Sequence, residues 1–385
     1  MSLASRRAAL LAAGLALLAA GSAQAAVLHV GPGHRYARPC RAIAAAHSGD
    51  TVAIDARGNG TYDGDVCAWS TDRLRIAGVH GRARIDAAGR LSEGKGIWVI
   101  GGADTLVDRV ELSGATSPSD RNGAGIRQQG PGLTVRRSFL HDNDDGILVD
   151  ADPRSDITIV ATELARNGFG DGYSHNLYVG HVHRLTLRDS WSHDARVGHL
   201  VKSRADVNRI LQNRLTEQHG TGSYELDLPD GGRAYVAGNV FQQGSRSENP
   251  ALLSYGAESL ANPRSRLSVV HNTFVDGLGR GAAIHVAPAA AARARIAGNL
   301  STGSSALVDQ PAARVVANCV PARPRFVAPA RYDYRLRRRS PCVDAVRRPD
   351  RAPARQYAYD LRHERRRVVG RAPDAGAFEW RPRRR

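Results

Sequence analysis

From residue 133 onward the chain keeps returning to one short pattern: LTVRRSF, LTLRDSW, ILQNRL, YVAGNVF, VVHNTF and RIAGNLS. Each leads a β-favouring run into a polar residue, with an apolar one two places later. The polar positions are Arg137, Asp189, Asn213, Asn239, Asn272 and Asn299. From Asp189 the steps are 24, 26, 33 and 27 residues, and the 52 residues between Arg137 and Asp189 leave room for two turns, with ITIVATEL between. Self-similarity at this period defines a solenoid, and β-runs punctuated by Gly and Asn make it a β-solenoid rather than a stack of helices. A second β-run recurs in each period: GILVD at 146–150, HNLYVG at 175–180, GHLVKS at 198–203, SYELDL at 223–228, ALLSYG at 251–256 and AAIHV at 282–286. Two or three short strands per turn predict an all-β right-handed parallel β-helix whose turns stack about 4.8 Å apart. The Asn series is expected to form a ladder inside a turn, bonding backbone groups that the bend leaves unpaired.

A solenoid exposes strand edges at both ends unless they are covered. CRAIAAAHSGD at 40–50 has the spacing of a short capping helix, with the strand-like TVAI after it. An irregular segment after about residue 320 is expected over the other end. Before this fold lies a secretory signal peptide, residues 1–25: Arg6 and Arg7, the apolar run Ala8–Ala20, and the small-x-small site Ala23-Gln24-Ala25. The apolar run is too short for a membrane span. The expected product is a secreted or periplasmic monomer, with a β-helix domain over 26–330 and an Arg-rich capping segment over 331–385. Four cysteines in an oxidising compartment predict two disulfides. Of the three pairings, Cys40–Cys67 and Cys319–Cys342 are preferred because each closes a local loop.

The formal charge of +17 is unevenly placed. Residues 331–385 hold 18 Arg against seven acids, whereas 26–330 holds 34 basic and 30 acidic residues. Such an Arg-rich end suits either contact with an acidic polysaccharide or anionic surface, or simple solvation. An exported chain with 5% aromatic residues and no nucleic-acid module argues against nucleic acid as a partner.

The repeats GNVF and HNTF, the opening AIAAAHSGDTVAI and the closing SPCVDA and PDAGAFEW together resemble the pectate-lyase-like superfamily of secreted parallel β-helix proteins. The resemblance implies the fold over nearly all of the mature chain and a polysaccharide as partner. It leaves the reaction to the residues on the surface.

Strand alternation places those residues. With Ile147 and Val149 inward, Leu148 and Asp150 face out. Leu177 and Val179 inward expose Asn176 and Tyr178, and Val201 inward exposes Leu200, Lys202 and Arg204. Leu226 and Leu228 inward expose Glu225 and Asp227. His175 and His199 stand at strand starts, Tyr255 and Glu258 follow one turn later, and the loop SRSENP is expected to wall the groove. Lys202 stands out because only two of the 54 basic Lys and Arg residues, Lys95 and Lys202, are Lys.

Cleaving a uronate by β-elimination requires a cation for the carboxylate, a base for the C5 proton and an acid for the departing O4. Lys202 is the candidate base, its pKa lowered by Arg204 or a protonated His199, and Arg cannot replace it because Arg does not deprotonate. Arg204 could instead hold the carboxylate. Tyr178, His175 or Tyr224 could be the acid, with Asn176, Glu225, Asp227, Tyr255 and Asp150 as substrate contacts. HLVKSRADVNRILQNRL…GNVF resembles the KS-x-x-N-x-x-x-x-N…GN-x-F run of the chondroitinase-B and alginate-lyase family. That resemblance implies Lys202 as base and a calcium-binding acid at Glu225 or Asp227. The family's R-H-G acid has no counterpart, since SYELDLPDGG stands in its place. A parallel β-helix glycoside hydrolase is the alternative. Asp150, Glu225 and Asp227 supply carboxylates, and NDDGI, with Asp144 and Asp145, resembles the paired-Asp motif of polygalacturonases, whose N-T-D and R-I-K elements are missing. A non-enzymatic polysaccharide-binding solenoid is a third reading.

Overall fold

The computed structural model describes residues 24–347 and 352–382, so residues 1–23 of the predicted signal peptide lie outside it. Three parallel sheets of 12, 9 and 10 strands run the length of a right-handed β-helix of about ten turns. One turn is Val182–Arg188 in the first sheet, Trp191–His193 in the second and Lys202–Ser203 in the third. Matching apolar positions stack inward. Ile76, Val107, Val135, Ile159, Leu187 and Ile210 form one fully buried column of the first sheet. Each such side chain contributes about 1.5–3 kcal/mol by leaving water.

The bend from first to second sheet is two residues long. Its first residue is left-handed, with φ of 53° at Arg137, 56° at Asp189, 49° at Gln212 and 50° at His271. The second residue forms the ladder. Asn213 Nδ2 donates to Asn239 Oδ1 at 2.9 Å, Asn239 to Asn272 at 2.9 Å, Asn272 to Asn299 at 3.0 Å and Asn299 to Asn318 at 3.0 Å. Every acceptor also takes a backbone N–H, as from Asn213 at 2.8 Å. The ladder therefore holds a strained bend, which costs on the order of 1 kcal/mol per turn. Arg137 and Asp189, which mark the repeat before the Asn series, stand one residue before the ladder. The ladder continues instead through the hydroxyls of Ser190, Thr162 and Ser138, with Ser190 N–H on Asn213 Oδ1 and Thr162 N–H on Ser190 Oγ.

The capping helix is Pro39–Ala45, which buries Ala42 and Ile43 against the first strands. Both expected disulfides are present, Cys40–Cys67 and Cys319–Cys342. Among the described residues no helix is long and apolar enough to cross a membrane.

The C-terminal segment departs from expectation. Its contacts run down the flank of the second sheet rather than stopping at the open end. Ala377 N–H donates to Thr273 Oγ1 at 3.0 Å, Gly376 N–H to Gly298 O at 2.8 Å, and His363 Nδ1 lies 2.9 Å from Asp189. Phe326, Tyr334, Tyr357 and Phe378 share one buried cluster with Val240 and Leu300. PDAGAFEW closes around a buried ion pair: Arg366 Nε lies 2.9 Å from Glu379, and its other nitrogens donate to Gly376 O and Asp374 O.

Candidate active site

The register of the third sheet puts Arg127, Leu148, Tyr178, Lys202, Asp227 and Ser254 in one outward column, one residue per turn. Their neighbours Ile147, Val149, Leu177 and Val179 are buried, as alternation predicts. Over this face runs a groove of 820 Å³ whose lining includes Arg127, Asp150, Tyr178, Lys202, Arg204 and Glu258. Its wall is not the SRSENP loop. Asn249 of that loop instead binds Ser223, and the groove is flanked by Gly172-Tyr173 and Glu258.

Lys202 sits in the middle, its side chain 13% exposed, with Nζ 2.8 Å from Glu258 Oε1 and 3.5 Å from Asp227 Oδ2. Arg204 leaves the strand just beyond it. Its Nε donates to Tyr178 Oη at 3.1 Å, Nη1 to Asp230 at 2.9 Å and Nη2 to Glu258 Oε2 at 2.5 Å. Burial opposes the guanidinium's charge, but the bonds to Glu258, Asp230 and Tyr178 outweigh it and raise its pKa. Because Tyr178 Oη accepts from Arg204, its own proton is free to point elsewhere. Burial lifts Asp227 to about 6, against the opposing charge of Lys202.

The two histidines have other work. His175 stacks on His199 with centroids 4.8 Å apart, and His199 tilts against half-buried Tyr224 at 5.2 Å. His175 Nδ1 accepts the His199 N–H at 3.0 Å, and His199 Nδ1 accepts the Tyr224 N–H at 3.4 Å. An Nδ1 that accepts carries no proton, so both rings are neutral with their protons on Nε2. Burial, then the charge of Lys202, pushes His199 down to about 3. Burial, then His199, pushes His175 well below its usual value. A protonated His199 acting on Lys202 is thus corrected, and His175 is no acid.

Several expected substrate contacts point the other way. Asn176 is fully buried in a second amide ladder, accepting from Asn167 Nδ2 at 2.9 Å and donating to Ser192 at 3.0 Å. Leu200 is buried too. Glu225 is enclosed in the interior, where no other residue among those described bonds either oxygen, and burial, then the charge of Glu217, pushes its pKa well up. Tyr255 is fully buried, its hydroxyl donating to Gly232 O at 2.6 Å. Asn176, Leu200 and Glu225 lie just before strands of two or three residues, where the chain is still turning, whereas Tyr255 follows the inward register of Leu228 and Val286.

The remaining carboxylates are engaged. Asp150 pairs with Arg127 at 2.8 Å. Asp144 accepts backbone N–H groups of Ser117 at 2.7 Å and Gly123 at 3.0 Å, and Asp145 accepts that of His175 at 2.7 Å. NDDGI is therefore a buried turn anchor, which weakens the hydrolase reading. Glu225 and Asp227 do not fit a calcium site either. One faces the core, and the other lies beside the Lys202 amine and 3.6 Å from His199 Nε2. Sequence reasoning missed Arg127, Asp230 and the reach of Glu258. Arg127 was only partly within reach: AGIRQ at 124–128 matches GILVD in its inward Ile126, but the polar Gln128 stands where GILVD has Val149.

Among solved structures the chain is similar to pectate lyase Pel9A, with a TM-score of 0.65 and 13% identity, covering 93% of this chain and 97% of that one. This likeness establishes the shared pectate-lyase-like fold. No protein-family profile matches the chain, and no curated protein matches it in sequence.

Proposed function

We propose that the protein is a secreted polysaccharide lyase that cleaves a uronate-containing glycan by β-elimination in the Lys202 groove. The observation that carries this reading is the linkage of Lys202, Arg204 and Tyr178 on adjacent turns, the first two through Glu258 and the last two directly. Arg204 takes the substrate carboxylate, which stabilises charge developing at C5. Lys202 removes the C5 proton, the C4–O4 bond breaks as the C4–C5 double bond forms, and Tyr178 protonates the departing O4. Two disulfides suit an oxidising compartment and support export. The lyase structural neighbour supports the reaction class.

The test is incubation of the purified protein with a panel of uronate polysaccharides, following ultraviolet absorbance and reducing ends together. Absorbance should rise with wild type. Lys202→Ala should lose roughly 100-fold or more, and Tyr178→Phe should lose kcat on the order of 100-fold with KM little changed. Reducing ends without absorbance would sink the elimination reading.

A further inference from the structure

The contact between Glu258 and the two groove cations has an unusual form. One carboxylate bridges both, Oε1 on Lys202 Nζ at 2.8 Å and Oε2 on Arg204 Nη2 at 2.5 Å. Its partners lie 56 and 54 residues earlier in the chain, so the bridge is purely tertiary. Burial is lopsided: the Glu258 side chain is 47% exposed, against 13% for Lys202 and 24% for Arg204. The cations belong to the wall, and the carboxylate lies over them from the solvent side.

The anchoring is lopsided in the same sense. Arg204 keeps Asp230 and Tyr178 when Glu258 is removed, and Lys202 keeps Asp227. The Glu258 backbone is held separately, with its N–H and that of Ser259 on Pro229 O at 3.1 and 2.9 Å, and Ser259 Oγ on Asp230 at 2.8 Å. A rotation of the Glu258 side chain alone uncovers both cations without moving the loop. The bridge is open to solvent on its carboxylate side, so a ligand bringing its own carboxylate can replace it.

We propose that the Lys202–Arg204 pair is a subsite for the carboxylate of a uronate sugar, and that Glu258 is its resident stand-in, displaced when the sugar enters. The inference rests on the reading of this groove as the substrate site. It deepens that reading by assigning the ligand's charged group and by giving Glu258 a gating role. A uronate carboxyl is bonded directly to C5, so a carboxylate seated where Glu258 now sits brings the C5 hydrogen beside the Lys202 amine.

The test uses sugars that cannot be cleaved: galacturonate and glucuronate monosaccharides, each paired with its neutral C6-alcohol counterpart. Their affinities for wild type, Glu258→Gln and Glu258→Ala are measured by titration with NMR or calorimetry. Both variants should bind the uronates roughly three- to tenfold more tightly, because the internal competitor is gone, and the neutral sugars unchanged. Arg204→Gln in the Glu258→Gln background should abolish that preference. Equal uronate affinity in wild type and variants, weaker binding in the variants, or no uronate binding at all would each overturn the proposal. Tighter uronate binding by Glu258→Gln with no absorbance from any polysaccharide would instead retain the subsite and reject the lyase reading.

Discussion

At the scale of single residues, burial decides which titratable groups are chemistry and which are structure. Asp145 is enclosed, and burial lifts its carboxyl to about 8, from a usual value of 3.8, although its Oδ1 holds the His175 N–H. A carboxyl raised in the folded state stabilises the fold fully below its unfolded pKa. That contribution is lost as pH rises from about 4 towards 8. Asp145→Asn keeps the acceptor and removes the ionisation. Its melting temperature is expected to match wild type near pH 4 and to exceed it by several degrees at pH 8, read by thermal denaturation across pH. Glu225→Gln should act in the same direction, its raised carboxyl being wholly buried. Neither effect was legible in the sequence, where Glu225 alternates with Leu226 as though it faced solvent. Lys202 was legible, because a rare amine in an Arg-rich chain stood on a strand whose apolar partner was clear.

At the scale of elements, the ladder is the unit that makes a turn repeatable. Asn239 in its middle bonds Asn213 on one side and Asn272 on the other, and also donates to Ile210 O. Asn239→Ala leaves those buried groups unpaired and is expected to cost about 2–4 kcal/mol, summed over the bonds lost. Asn318→Ala, half-buried at the ladder's end, should cost less; chemical denaturation of both variants checks the order. The Asn spacing announced the ladder in the sequence, but not its continuation beside Arg137 and Asp189. Ser138 and Ser190, with shorter side chains, occupy the ladder position there, and the residue before each takes the left-handed bend. Periodicity locates an element, whereas the identity of the bonding atom within it depends on three-dimensional reach.

At the scale of the whole molecule, the Arg-rich C-terminal segment is a structural flank as well as a charged surface. It covers Val240 and Leu300 with Phe326, Tyr334, Tyr357 and Phe378, and it encloses the Arg366–Glu379 pair. A chain ending after residue 350 loses half of that cover and is expected to aggregate or bind hydrophobic dye, read by light scattering and dye fluorescence. Arg366→Ala, which strands a buried carboxylate, is expected to destabilise by about 3–5 kcal/mol.

By itself the sequence determined the solenoid, its period, the disulfide pairing and the inward columns, because all four follow from local alternation and short loop closures. The tertiary structure alone decided which polar residues reach the groove. Asn176 and Glu225 lie just before strands of three residues, where the chain is still turning, and Tyr255 follows the inward register of Leu228 and Val286, so all three are buried. The partners of Lys202 and Arg204 came from the stacking of turns: Asp230 and Glu258 lie one and two turns away along the helix axis, a proximity that no local pattern encodes.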